Sequence, residues 1–247
     1  MMMLGLLPMF FACKSTKLVP NGKYLLVKNN IINLDSTKDN LFKKAIKTMN
    51  DDISLYVKHK PNRKILGIFK FHLGMYQFGT SIKNPYKNTK KKWRKVFRAN
   101  GEAPVLLDSN EIEKSRVNLQ NYFFSKGFFN SEISYKVDYK KKKARVTYYV
   151  LPNQPFKIKD VNLFADDAEI DKTLNEQKLE SFLKIGNVLE LENITKERNR
   201  LTNILRNKGY IDFTKDYFDF ELDTLKTSSN ELIINIYAFN KNDEDRF

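Results

Sequence analysis

The chain has 247 residues, with 44 Lys and Arg against 29 Asp and Glu, a formal net charge of +15, 13% aromatic residues and only 9 Gly and 7 Pro. That composition excludes disorder along most of the length, because there is enough apolar and aromatic surface to build cores. One cysteine, Cys13, excludes an intramolecular disulfide framework, so stability must come from packing.

In chain order, Met1 to Ala12 is almost wholly apolar and runs into Cys13, with small Ala12 before it and polar Lys14-Ser15-Thr16 after it. This resembles a bacterial lipoprotein signal, in which the leader is removed and Cys13 is lipidated, so residues 1–17 would be signal and tether. A dozen residues cannot span a bilayer, which needs about 20. Acyl chains would hold the domains at a membrane, at about 0.8 kcal/mol per buried methylene. Tyr24 to Leu34 reads as a strand, and Leu41, Ala45, Ile46, Met49 and Ile53 fall at helical spacing. Lys90, Lys91, Lys92, Arg94 and Lys95 then crowd around Trp93.

From residue 108 the punctuation becomes clear. Asp108, Ser109 and Glu111 form a helix start, Ile112, Leu119, Tyr122 and Phe123 an apolar stripe, and Lys126-Gly127 a helix end. Ile133, Tyr135, Val137 and Tyr139 alternate with polar residues; Lys140, Lys141, Lys142 and Lys143 interrupt; Ala144, Val146, Tyr148 and Val150 alternate again, which makes a hairpin. Phe156, Ile158, Val161 and Leu163 read as a strand with an irregularity near Asp160. Leu174, Leu179, Phe182 and Leu183 read as a helix ending near Gly186. The helix pattern of 112–127 then recurs at 194–209: at a fixed offset of 82, seven of sixteen residues are identical, including Lys126/Lys208 and Gly127/Gly209. Phe218, Phe220 and Leu222 alternate, as do Leu232, Ile234, Ile236 and Ala238. A duplicated supersecondary unit points to a docking or scaffolding protein.

The order strand, helix, helix, strand, strand, with a Lys-Gly-aromatic turn before the hairpin, resembles the POTRA domain, the polypeptide-transport-associated module. Gly101-Glu102-Ala103-Pro104-Val105 with Asp108, Lys126-Gly127-Phe128-Phe129, and Lys60-Pro61-Asn62-Arg63-Lys64-Ile65-Leu66-Gly67 with Tyr76 and Gly79 are similar to the amino-terminal region of BamA/TamA-like outer-membrane assembly proteins of the Bacteroidota type. The resemblance implies an α+β fold of tandem POTRA-like domains, each β-α-α-β-β with two helices on a three-stranded mixed sheet. It implies domains at 18–100, 101–153 (with 90–100 open to inclusion) and 154–240, and a tail, 241–247, leading to an absent barrel.

The resemblance also implies a non-catalytic periplasmic docking role in the cell envelope. Client chains or accessory subunits would add as strands to the second strand of each sheet, at Ser131, Ile133, Tyr135, Val137 and Tyr139 and at Tyr217, Phe218, Phe220 and Leu222. The partners are then unfolded outer-membrane or secreted proteins, accessory assembly subunits, and the membrane itself. The competing reading is a membrane-anchored lipoprotein whose basic loops bind acidic lipids or glycans, each lysine near an anionic surface contributing about 1 kcal/mol.

Catalytic signatures are missing. His59 and His72 have no cysteine or second histidine at ligand spacing, so no metal site is expected. Gly74 to Gly79 has the outer glycines of a phosphate loop, but Thr80 replaces its lysine, and no nucleophile elbow occurs. Asp51-Asp52 and Asp166-Asp167 read as helix-end or turn residues. Tyr and Phe fall on core faces and leave no stacking ladder, so no nucleic acid, and no cofactor, is expected.

Overall fold

A computed structural model of the chain describes residues 15–34, 52–67, 69–80, 91–224 and 230–239, with side chains from residue 94 onward in the helix that begins at 91. The elements are β1 (Leu25–Asn33), a helical segment at 52–56, α1 (Phe71–Thr80), α2 (Lys91–Ala99), α3 (Ser109–Ser125), β2 (Glu132–Lys140), β3 (Lys143–Leu151), β4 (Lys157–Ala165), α4 (Ala168–Glu176), α5 (Leu191–Asn207), β5 (Phe218–Asp223) and β6 (Glu231–Ala238). They build two three-stranded sheets of order β1-β3-β2 and β4-β6-β5, so the fold is α+β with mixed sheets. Packing divides the described residues into two compact units. One holds those of Met1–Ile32 and Asn50–Arg116 with Ser134–Tyr149, the other those of Asn33–Met49 with Val117–Ile133 and Val150–Phe247.

The division expected at residue 100/101 does not separate two sheets. β1 pairs with β3 of the hairpin: Leu25 N–H donates to Lys142 O and Leu34 N–H to Val150 O, so both strands ascend together, in parallel. A strand finds its sheet by non-local pairing, and nothing in residues 25–33 says which later strand it will meet. The helical elements at 52–56, α1 and α2 are therefore inserted between the first strand of a sheet and its last helix. Asn62 ties this insertion down. It is 1% exposed, its amide donates to Ala103 O (2.7 Å), and its Oδ1 accepts from Val105 N–H (3.0 Å). Two glycines sit where helices close in: a Cβ on Gly79 would come 2.8 Å from Arg98 N, and one on Gly101 2.5 Å from Tyr76 N. Most of the stripe Leu41, Ala45, Ile46, Met49 and Ile53 lies outside the described residues; Ile53 itself is buried.

In the second sheet β6 is central. It runs parallel to β4 and antiparallel to β5, with Leu232, Ile234, Ile236 and Ala238 buried toward the helices. Leu174 of α4 and Leu201 and Leu205 of α5 are fully buried in the same cluster, each contributing about 1.5–3 kcal/mol. The irregularity expected near Asp160 is a register shift between Ile158 and Asp160. α4 ends at Glu176, earlier than the spacing of Leu174, Leu179, Phe182 and Leu183 suggests. A short 3-10 turn, Lys178–Glu180, comes next, and Leu179 is 90% exposed. The cause lies on α5: buried Glu197 accepts from Phe182 N–H (2.9 Å), and Arg200 donates to Gln177 O (3.1 Å), pulling the chain out of its helix.

α3 and α5 each span 17 residues at the offset of 82. The duplication reaches further back than the helices. Leu106 forms an antiparallel bridge with Leu25 on β1, and Val188, at the same offset, forms one with Lys157 on β4.

Candidate strand-edge interfaces

The segments before α3 and α5 each cover the start of an outer strand. Leu26 N–H donates to Val105 O (2.9 Å) and Leu107 N–H to Tyr24 O (2.7 Å) along β1. Ile158 N–H donates to Asn187 O (2.9 Å), and Gly186 N–H to Ile158 O (2.7 Å), along β4. The other outer strands of the two sheets, β2 and β5, have no such cover among the described residues.

On β2, Ser131 and Ile133 are buried. The Ser131 carbonyl and hydroxyl both accept from the Gln120 amide, at 2.6 and 2.9 Å. Beyond them the strand emerges into solvent. Tyr135 and Tyr139 are 37% and 57% exposed, and Val137 between them is half-buried. Tyr24 packs against Tyr139 at 4.6 Å between ring centroids, and Tyr148 lies 6.2 Å from Tyr135. Lys136 and Asp138 pair across the opposite face at 3.4 Å. An aromatic face therefore reaches this edge, with Tyr135 and Tyr139 exposed along it.

On β5 the helix-facing residues Phe218, Phe220 and Leu222 stand opposite Ala238, Ile236 and Ile234. Phe218 is buried and the other two are half-buried, while Tyr217 lies in the preceding 3-10 turn. The open-face residues are all acidic: Asp219, Glu221 and Asp223 stand opposite Tyr237, Asn235 and Ile233. Glu221 accepts from the Tyr237 hydroxyl (3.1 Å) and the Asn235 amide (3.4 Å). The backbone parity is set by one bond. Phe239 N–H donates to Tyr217 O (2.9 Å), so Tyr217, Asp219, Glu221 and Asp223 use their peptide groups toward β6. Those of Phe218, Phe220 and Leu222 point out of the sheet. Phe220 N–H is taken by its neighbour, the Asp219 carboxylate, at 2.8 Å.

The basic residues are scattered. Lys90 and Cys13 lie outside the described residues; Lys91 and Lys92 open α2, followed by half-buried Arg94 and exposed Lys95. In the hairpin turn, Lys142 donates to Val19 O and Asn21 Oδ1, both at 3.0 Å, so it serves the fold. Lys140, Lys141 and Lys143 are exposed. Among the described residues no group of three or more His, Cys, Asp or Glu could hold a metal, and no helix is long and apolar enough to cross a membrane. Asp108 and Asp167 cap α3 and α4: their carboxylates accept from Asn110 N–H and Glu169 N–H, both at 2.8 Å. The acidic open face of β5 was not singled out from sequence, although the alternation Asp219, Glu221, Asp223 is the signal that carries it.

Residues 63–153 match the POTRA family model, described as "Surface antigen variable number repeat". No curated protein matches the chain. Among solved structures, POTRA1-2 of the periplasmic domain of Omp85 from Anabaena is 11% identical, covering 87% of this chain and 94% of that one, with a TM-score of 0.39. POTRA3-5 of BamA from Haemophilus influenzae is 10% identical over 90% of this chain and 100% of that one, with a TM-score of 0.34. BamA from Haemophilus ducreyi lacking POTRA domains 1-3 is 11% identical over 63% of this chain, at a TM-score of 0.39, and the chain spans 27% of its length. The family match crosses residue 100 without a break and ends with the hairpin.

Proposed function

We propose that this chain is a non-catalytic periplasmic docking region of an outer-membrane protein assembly or translocation factor. It binds client chains or accessory subunits by adding them as strands to β2 and β5. The observation that carries the reading is the asymmetry of cover. In both sheets the segment before the repeated helix occupies the edge of β1 or β4, and among the described residues nothing pairs with the outer edges of β2 and β5. An unpaired edge is a template for an extended chain, and its main-chain bonds tolerate many sequences. The POTRA match of 63–153 supports the family side of the reading. In this proposal Cys13 is lipidated, and the motifs around Lys60 and Gly101 are of the Bacteroidota type.

The test compares proline with alanine at one position. Phe220 N–H points away from β6, so Phe220→Pro removes an edge donor and leaves the ladder to β6 intact, while Phe220→Ala removes the same ring and keeps the donor. Tyr135→Pro and Tyr135→Ala form the corresponding pair on β2. The readout is photo-crosslinking of an unfolded β-barrel protein to variants whose circular dichroism matches the parent. Proline variants that crosslink as well as their alanine partners overturn strand addition.

A further inference from the structure

The edge of β5 is occupied by one of its own side chains. Phe220 N–H, the outward donor at the middle of the strand, is bonded by Asp219 Oδ1 at 2.8 Å, so an incoming strand cannot use that donor until the carboxylate leaves. The open face beside it carries Asp219 and Glu221, both exposed, and Asp223. The helix side carries the opposite sign. The Arg198 guanidinium lies 5.0 Å from the centroid of the Phe220 ring, and its Nε is buried without a hydrogen-bond partner.

We infer that β5 selects extended segments bearing lysine or arginine at alternate positions, with the cation opposite Asp219 drawing the carboxylate off Phe220 N–H as the strand docks. The inference rests on the strand-addition reading and specifies its partner. The geometry fixes which residues meet. Phe218, Phe220 and Leu222 point their peptide groups outward, so they form the hydrogen-bonded pairs with an added antiparallel strand. Asp219, Glu221 and Asp223 then fall in the non-hydrogen-bonded pairs, where facing side chains are closest. A cation there meets a carboxylate directly. A carboxylate or an uncharged residue leaves Asp219 on the donor it already holds. On the helix side, Arg198 repels cations and suits apolar, aromatic or acidic residues over Phe220. The two signs on two faces also fix register, because a slip by one residue would carry the partner's cations to Arg198. β2 lacks this pattern: its open face pairs Lys136 with Asp138 and so has no net preference.

The test uses three ten-residue peptides alternating valine with lysine, threonine or glutamate, titrated by fluorescence anisotropy at low salt against the whole chain. Asp219→Ala and Asp219→Lys are the variants, with Phe220→Pro reporting whether binding is at β5. Opposite charges facing across a sheet strengthen pairing by roughly two- to fivefold each, so the lysine peptide should bind about tenfold tighter than the threonine one. Asp219→Ala should tighten the threonine peptide and cut the lysine preference to about threefold, and Asp219→Lys, which leaves Glu221 and Asp223 in place, should cut it to about twofold or less. Equal binding of the three peptides at β5, or a lysine preference untouched by Asp219→Lys, overturns the charge selection and leaves strand addition standing. No binding of any peptide overturns both.

Discussion

One dipeptide shows how little of a residue's duty its identity carries. Lys126-Gly127 and Lys208-Gly209 are repeat equivalents, and both glycines adopt left-handed backbone, at φ +85° and +103°. A Cβ on Gly209 would meet nothing within 4 Å, whereas one on Gly127 would lie 2.5 Å from Leu189 O and 2.7 Å from Val188 Cγ1. Lys126 adds an ion pair to Glu190 at 2.6 Å, and Phe156 N–H donates to Gly127 O at 2.9 Å. Gly209→Ala should therefore cost about 1–2 kcal/mol for the left-handed conformation alone. Gly127→Ala should cost a further 1–3 kcal/mol, roughly, because backbone must move. Urea unfolding measures both, and equal losses would mean that the contact with Leu189 yields freely. Lys70 is a second residue-scale case. Its Nζ is buried without a hydrogen-bond partner, and burial, with repulsion from Lys64 and Lys143, holds its ammonium below the ordinary lysine range. At pH 7 it is charged in both folded and unfolded chains, so the folded chain alone bears the desolvation. Lys70→Met should raise the urea midpoint at pH 7. As pH rises through the lowered folded value the native protein sheds the proton and the penalty, so the advantage of the variant should shrink by pH 10; a gain constant across that range would mean the amine is not the cause.

At the scale of elements, the segment after α4 is held by a charge pair on another helix. Glu197 is 1% exposed and bonds Arg200 through both oxygens, at 2.5 and 3.0 Å, while these two side chains also hold Phe182 N–H and Gln177 O. Glu197→Gln leaves Arg200 without a counter-charge in a site where its side chain is 13% exposed, and should cost about 3 kcal/mol with faster amide exchange at Phe182. Exchange at Phe182 unchanged from the parent would refute the clamp. The same pair explains what could be read in the sequence and what could not. α3 and α5 were legible because local spacing, an Asp at one start and Lys-Gly at both ends all agree. Leu179 and Phe182 were misleading, since they have helical spacing but stand 90% and 46% exposed, and the agent that stops the helix is fifteen residues later in the chain. The partner of β1 was illegible for the same reason: its strand pattern is local and its pairing with β3 is not. The outer positions of β2 and β5 came from the resemblance, and Asp219 on Phe220 N–H is a geometry no spacing announces.

For the molecule as a whole, the question is whether a net charge of +15 or a pair of strand edges governs what it binds. The two causes respond differently to salt. The Debye length falls from about 10 Å at 0.1 M to about 3 Å at 1 M, so attraction between basic loops and anionic lipid or glycan is largely screened at the higher value. Main-chain hydrogen bonds and the burial of alternate side chains against Tyr135 or Phe220 are not. The exposed lysines at 140, 141 and 143 contribute to a general field, but Lys142 is engaged by Val19 O and Asn21 Oδ1, so the hairpin turn offers less free charge than its sequence suggests. Strand addition therefore predicts that the neutral valine–threonine peptide changes affinity less than about twofold between 0.1 and 1 M salt. The lysine peptide should lose most of its advantage at β5 over the same range and converge on the neutral one. Anisotropy titrations at the two salt concentrations separate the cases. Collapse of all binding, including that of the neutral peptide, would make the basic surface the operative feature and the edges incidental; retention of the neutral component alone is what uncovered β2 and self-capped β5 require.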